Sequence, residues 1–227
     1  PKQPTPLNAM HTANIPPCVA TIGFFDGVHL GHRYLISHVR QLAQEQNMPS
    51  MVVTFGTHPR QVVQTSFVPK LLSTPEEKQK LLCETGIDHT MVLNFDLNMA
   101  ALTAREFMQR ILKERLNVAQ LVIGYDNKFG HNREEGFEDY CRYGEMLGIH
   151  VVEAPQFAPD GAHISSSAIR NHLLEGRVKQ ANALLGYNYS LGGKVVPGFQ
   201  EGRKMGFPTA NLLVENPQKL LPQNGVY

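Results

Sequence analysis

A chain of 227 residues, 42% of them hydrophobic, is long enough to bury one substantial α/β core and part of a second. Its 21 basic side chains nearly balance 20 acidic ones, so it carries no electrostatic footprint of a nucleic-acid or membrane-surface binder, and small-molecule partners are expected. Its three cysteines, Cys18, Cys83 and Cys141, have no Cys-x-x-Cys spacing and no disulfide framework is expected, while the polar, proline-rich residues 1–17 lack the apolar core of a signal peptide or a membrane span. The expected compartment is the cytoplasm.

In chain order, residues 18–22 form an apolar run of strand length. From Leu35 onward the apolar positions Leu35, Ile36, Val39, Leu42 and Ala43 recur at helical spacing. Between strand and helix lies Gly23-Phe24-Phe25-Asp26-Gly27-Val28-His29-Leu30-Gly31-His32. Its glycines allow backbone geometries and close approaches that a Cβ forbids, and His29 and His32 stand three residues apart at the helix start. A helix N-terminus with unpaired N–H groups and a positive dipole end suits a phosphate, and imidazoles beside it can donate to charge developing at phosphorus. The turn is therefore a candidate site for phosphoryl or nucleotidyl transfer. His-x-x-His could also be half of a zinc site, but the scattered cysteines offer no further ligand pair. The spacing fits neither the Rossmann dinucleotide fingerprint nor a Walker A loop.

Further strands are expected over 50–55, 90–95, 119–123 and 149–154. The second of the five ends in Gly56-Thr57-His58-Pro59-Arg60, with 61–73 irregular behind it. Thr74-Pro75-Glu76-Glu77 and Thr103-Ala104-Arg105-Glu106 are capping boxes, opening helices to about residues 84 and 116. The fourth strand runs into a polar, glycine-punctuated loop over 124–136, which feeds a helix to Leu147. Strands alternating with helices imply right-handed βαβ units, an α/β fold with a parallel sheet and helices on both faces. Beyond the fifth strand, Ile164-Ser165-Ser166-Ser167-Ala168-Ile169-Arg170 places hydroxyls at a helix start with an arginine close behind. That is either an ordinary serine cap or a cradle for a phosphate chain. Near Gly186 helical periodicity gives way to β-type sequence, and Gly198-Phe199-Gln200-Glu201-Gly202-Arg203-Lys204-Met205-Gly206-Phe207-Pro208-Thr209-Ala210-Asn211 follows. Alone, that stretch could be a turn with a proline.

Phe-Asp-Gly-Val-His-x-Gly-His at 25–32 closely resembles the signature of the His-x-Gly-His nucleotidyltransferase superfamily, and in this form its FAD synthetase branch. Gly-Arg-x-x-Gly-Phe-Pro-Thr-Ala-Asn resembles the phosphate and Mg²⁺ motif of riboflavin kinase. Together, in this order, they resemble the bifunctional bacterial riboflavin kinase and FAD synthetase family. The resemblance implies a Rossmann-like nucleotidyltransferase domain over 1–185 with strand order 3-2-1-4-5, followed over 186–227 by part of a β-barrel kinase domain. That order brings the first and fourth strands, each with a polar glycine-rich loop, together at the switch point. It implies ATP, FMN and riboflavin as substrates, Mg²⁺ as cofactor, and transfer of AMP from ATP to FMN. Catalytic contacts fall to His29 and His32, and ATP contacts to Gly23, Phe24, Phe25, Asp26, Gly31, Ser165, Ser166, Ser167 and Arg170. Flavin contacts fall to Gly124, Asp126, Phe129 and Gly130. Asn127 and Lys128 depart from the family pattern. Thr209 and Asn211 would be metal and nucleotide contacts of a kinase site, whose activity is expected of a full-length protein and not of these 227 residues. The rival expectations are a cytidylyltransferase on the same scaffold and a non-enzymatic flavin or nucleotide sensor.

Overall fold

The computed structural model describes residues 5–6, 15–64, 66–124, 128–131, 134–159, 164–198 and 201–227, with Thr5, Pro6 and Glu201 described through their backbone only. β2 (Cys18–Ile22) and β3 (Ser50–Phe55) are buried at every position, as strands covered on both faces of a parallel sheet must be. β2 lies between β3 and β5 (Val118–Ile123). β4 (His89–Leu93) pairs with β3, β6 (His150–Glu153) pairs with β5, and all these pairings are parallel. The order β4-β3-β2-β5-β6 is the expected 3-2-1-4-5. An edge strand that the sequence reading did not foresee, β1 (Thr5–Pro6), pairs with β4. Its proline is tolerated because an edge strand need not donate outward.

Alternate residues of the strands feed two cores. Ala20, Val53, Leu121 and their neighbours pack under α5 (Ala104–Phe107), the π-helix that continues it (Met108–Arg115) and α6 (Phe137–Leu147). Val19, Val52 and Val122 pack under α1 (Leu30–Glu45) and α3 (Pro75–Glu84). Both expected capping boxes form, each threonine accepting from the glutamate N–H and each glutamate accepting from the threonine N–H. The helix expected after Thr103 departs from α geometry at Met108, a change of hydrogen-bond register that hydrophobic periodicity does not report. The stretch 61–73 is not wholly irregular. α2 (Pro59–Val63) starts on the imidazole of His58, which accepts from Arg60 N–H at 3.2 Å, with proline where no N–H is needed. A further short helix, α4 (Leu97–Ala100), is capped by Asp96.

Beyond β6, α7 (Ser166–Leu174) and α8 (Val178–Leu185) build a third cluster with Leu72 and Leu220. β7 (Lys194–Val196) and β8 (Asn211–Leu213) form a separate antiparallel pair, with α9 (Glu201–Lys204) between them. The backbone then returns to the main body, where Leu71 and Lys219 form a parallel bridge. Among the described residues no helix is long and apolar enough to cross a membrane.

Candidate active site

The chain leaves β2 through a turn whose geometry few sequences accept. Phe25 and Gly27 lie in the left-handed region at φ 55° and 75°, and the β-branched Val28 stands at φ 38°. A non-glycine residue costs about 1 kcal/mol or more there, so its surroundings must hold it. They do so through Asp26, which is only 3% exposed. Its carboxylate accepts from the backbone N–H groups of Leu72 (2.9 Å) and Ser73 (3.1 Å), and Arg170 Nη2 pairs with it at 2.7 Å. Ser73 Oγ accepts from Gly27 N–H, Tyr187 donates its hydroxyl hydrogen to Gly27 O, and Ser166 donates to Asp26 O. Glycine is required at 27 on two counts, because a Cβ there would also lie 3.0 Å from Leu72 Cβ.

The turn delivers His29 as the N-cap of α1, its Nδ1 accepting from His32 N–H at 3.3 Å. A neutral imidazole accepting at Nδ1 carries its proton on Nε2, so His29 presents a donor. The rings of His29 and His32 stack 3.6 Å apart at 16°. Gly31 makes room for the stack, since a Cβ there would sit 3.3 Å from His29 Cε1 and Nδ1. Burial, then the Arg170 charge, pushes the His29 pKa down to about 4, and burial, then His29 and Lys78, holds His32 well below the usual histidine value. Both rings are therefore neutral near pH 7. His32 Nδ1 is buried with no partner among the described residues, a costly state for a polar nitrogen. The N–H groups of Leu30 and Gly31 at the start of α1, both residues half-buried, likewise meet no protein acceptor among the described residues, as the first turn of a helix leaves its donors.

Ser165 caps α7 by accepting from Ala168 N–H, which puts a second helix N-terminus beside the turn. Ser167 is exposed on the first turn of α7. Arg170 stands in the second turn, where its Nε also donates to Lys70 O at 2.8 Å.

On the other side of Phe24 opens a cavity of about 520 Å³, lined among others by Gly23, Phe24, Phe55, Phe95, Phe107 and Phe129. Its volume and aromatic lining suit a flat aromatic ligand. The loop after β5 forms one wall. Phe129 stacks on Tyr140 at 4.3 Å, its N–H donates to the Tyr140 hydroxyl, and Gly130, at φ 91°, lies so close to Ala104 that a Cβ would meet the Ala104 nitrogen at 2.6 Å. Gly23, Phe24, Phe129 and Gly130, found far apart in sequence, thus line one cavity. Gly124 stands at the end of β5, half-buried, while Asp126 and Asn127 lie outside the described residues.

Sequence reasoning missed Lys78. It is 5% exposed, donates to the carbonyls of Phe24 (3.1 Å) and Phe55 (2.8 Å), and lies 4.0 Å from the centre of the Phe24 ring. Burial, offset in part by Asp26, lowers its pKa to about 8. The signal was present, because Lys78 lies four residues before the buried Leu82 and so on the inward stripe of α3. His58 was noted only as a polar strand-end residue. It packs edge-on to Phe24 at 4.6 Å, and burial, with Arg170 next, lowers its pKa. Thr209 and Asn211 are exposed on the β7–α9–β8 unit, where Asn211 crowds Gly198 and Thr209 crowds Gly202.

A doubly wound parallel sheet with phosphate-type helix starts and an aromatic cavity at its switch point defines an α/β nucleotide-handling domain of the nucleotidyltransferase kind. Residues 11–168 match the family model of FAD synthetase and residues 185–227 that of riboflavin kinase, and the chain belongs to the FAD synthetase family. A bifunctional riboflavin kinase/FMN adenylyltransferase of Escherichia coli is 37% identical over 210 residues, covering 92% of this chain and 66% of the relative. One of the same description from Haemophilus influenzae is 36% identical over 223 residues, covering 97% and 72%. The chain thus spans 66% of the length of the E. coli relative. A crystal structure described as a macrolide-efflux protein from Streptococcus pneumoniae is similar at a TM-score of 0.84 and 30% identity, over 100% of this chain and 73% of that one.

Proposed function

We propose that this chain transfers AMP from ATP to FMN, forming FAD and pyrophosphate. The observation that carries the reading is the placement of two stacked, neutral imidazoles at a helix N-terminus, one residue run away from an aromatic cavity of about 520 Å³. FMN brings its own phosphate, so no protein nucleophile is needed. A phosphate oxygen of FMN attacks the α-phosphorus of ATP, the new P–O bond forms as the bond to the β-phosphate oxygen breaks, and pyrophosphate leaves with the electron pair. The chain's part is alignment and charge stabilisation. His29, through Nε2–H, and His32 would donate to the reacting phosphates. Because both are neutral near pH 7, each offers one N–H donor to the phosphates and adds no positive charge of its own. The free N–H groups of Leu30 and Gly31 would face the same charge, and Ser165 to Ser167 at the start of α7 would take the leaving pyrophosphate. Phe24 and Phe129 would flank the flavin, with Gly23 and Gly130 beside them, and Gly124 and Asp126 are assigned to it by the family resemblance alone.

Arg170 in this structure supports the turn through Asp26, so its part in ATP binding would begin with holding the His29–His32 turn and extend to the phosphates once they arrive. Mg²⁺ fits as a companion of the triphosphate. No group of three or more His, Cys, Asp or Glu among the described residues could hold a metal, and the Asp26 carboxylate is already taken by Leu72, Ser73 and Arg170. A hard cation that keeps its waters is commonly bound through substrate phosphates, where it neutralises charge.

In this reading 1–185 is the adenylyltransferase domain and 186–227 belongs to a riboflavin kinase domain, with Thr209 and Asn211 as its metal and nucleotide contacts. The setting is cytoplasmic, with ATP, FMN and riboflavin as the partners. Incubating the chain with Mg²⁺ and ATP, and with FMN or riboflavin in parallel, tests it by chromatography. FAD and pyrophosphate should appear in equal amounts from FMN, and no FMN from riboflavin, because the kinase-motif residues stand exposed on a two-stranded sheet. Product from CTP in place of ATP would favour the cytidylyltransferase alternative. Flavin binding without turnover would favour a sensor.

A further inference from the structure

The loop at 71–73 supplies the N–H groups that hold Asp26, and it is itself held from the far end of the chain. Leu71 N–H donates to Gln218 O at 2.7 Å and Leu220 N–H donates to Leu71 O at 2.8 Å, so 218–220 pairs with the loop as a short parallel strand. Between them Lys219, 7% exposed, turns its ammonium inward, donating to Leu72 O at 2.8 Å and to Glu77 Oε2 at 2.6 Å, 4.5 Å from the centre of the Tyr189 ring. Leu220, 3% exposed, packs on Leu72, Ile169 and Leu185, and its carbonyl accepts from the Tyr189 hydroxyl. A buried lysine held this way is costly unless its partners fix it well, and here both partners belong to the loop or to the helix that follows it. Leu72 is thus gripped on its carbonyl by Lys219 and on its N–H by Asp26, the carboxylate that sets the His29–His32 turn.

We propose that residues 218–220, in the stretch matched by the riboflavin kinase model, form a strap that positions the adenylylation site, with Lys219 as its positioning residue. Within the strap, Lys219 acts on the phosphate side: its ammonium reaches Leu72, Glu77 and Tyr189, whereas the flavin cavity is walled by Phe55, Phe95, Phe107 and Phe129 on other elements. Of the three strap residues, Gln218 alone touches the flavin side, donating through Nε2 to Gln61 Oε1 on α2 at 3.3 Å, a contact that a change at Lys219 leaves in place. Loosening the strap at Lys219 lets the Asp26 cradle and the histidine turn relax while the flavin wall stays in place. The proposal rests on the adenylyltransferase reading for its kinetic arm.

The test uses the full 227-residue chain with Lys219→Met, which keeps length and loses the ammonium. Loss of a charge-assisted hydrogen bond of this kind should raise KM for ATP about 10-fold while KM for FMN stays within about twofold. Hydrogen exchange at the Leu72 and Ser73 amides, read by NMR without any substrate, should quicken by about 10-fold. Unchanged exchange and unchanged KM for ATP would overturn the proposal, as would an equal rise in both KM values, which is the mark of a general loss of structure. If Lys219→Met does not fold, Tyr189→Phe removes only the hydroxyl grip on Leu220. It should show the same selectivity with a smaller rise of about threefold, and an equal effect on both substrates or none would overturn the idea. If the unmutated chain makes no FAD, the functional reading fails and the exchange measurement alone judges the strap.

Discussion

Replacing Asp26 with asparagine tests the cradle that sets the histidine turn. The two side chains are the same size, so the change removes charge and one acceptor without opening a cavity. Asp26 Oδ1 accepts from Leu72 and Ser73 N–H at 2.9 and 3.1 Å, and Oδ2 accepts from Arg170 Nη2 at 2.7 Å. An asparagine can keep its oxygen toward the loop, but its amide nitrogen then faces the guanidinium, donor against donor. Breaking a fully buried pair by removing one partner costs about 3–5 kcal/mol. Arg170 is 24% exposed and can turn part of its charge to water, which lowers the expected loss to about 2–3 kcal/mol. Urea unfolding of Asp26→Asn against the unmutated chain should show that loss as a shifted midpoint at unchanged slope. Arg170→Ala should cost less on this background than in the parent, since the pair with residue 26 is already gone and only the Nε bond to Lys70 O remains to be lost. A variant as stable as the parent within about 0.5 kcal/mol would refute the view that this carboxylate holds the turn.

Two more outcomes follow from the buried titratable groups. Because the folded His29 pKa is depressed from 6.5 to about 4, the unfolded chain binds a proton that the folded chain refuses between those values, so stability falls as pH drops through that window and levels off below it. The loss from His29 is about 3 kcal/mol at most, and His29→Asn, which keeps a capping acceptor, should flatten the acid limb of a denaturation series, an unaltered limb counting against the assignment. Lys78→Met strands the carbonyls of Phe24 and Phe55 and should lower the rate of FAD formation about 10-fold or more, with FMN affinity weakened through the freed Phe24 ring, whereas full activity would show that the lysine only fills space.

The local parts of this molecule were legible in its sequence because they depend on near neighbours. Thr74 and Thr103 cap helices with the glutamates three residues on, and Ser165 caps α7, whereas the part of His29 as the cap of α1 came only with the structure. The order of the parallel strands came from family resemblance, since buried strands on both faces carry no register signal of their own. Long-range grips were not legible. Asp26 is held by residues 46, 47 and 144 positions away, and nothing in the run Leu71-Leu72-Ser73 announces a carboxylate cradle. Lys78 was half-legible, as an inward position on an amphipathic helix filled by a charge. β1 hid within a proline-rich stretch whose composition argues against strand, and α2 hid behind the rarer histidine cap. Lys219 reads as a surface lysine until the loop it grips is seen.

The most direct measurement of the central claim, that the His29–His32 turn is where AMP changes hands, is the rate of FAD formation from ATP and FMN by His32→Ala beside the unmutated chain. The expected result is conversion by the parent and a loss of about 100- to 1000-fold in the variant, the usual cost of one transition-state donor, with circular dichroism and unfolding midpoint essentially unchanged. Near-parental turnover in a folded His32→Ala would contradict it.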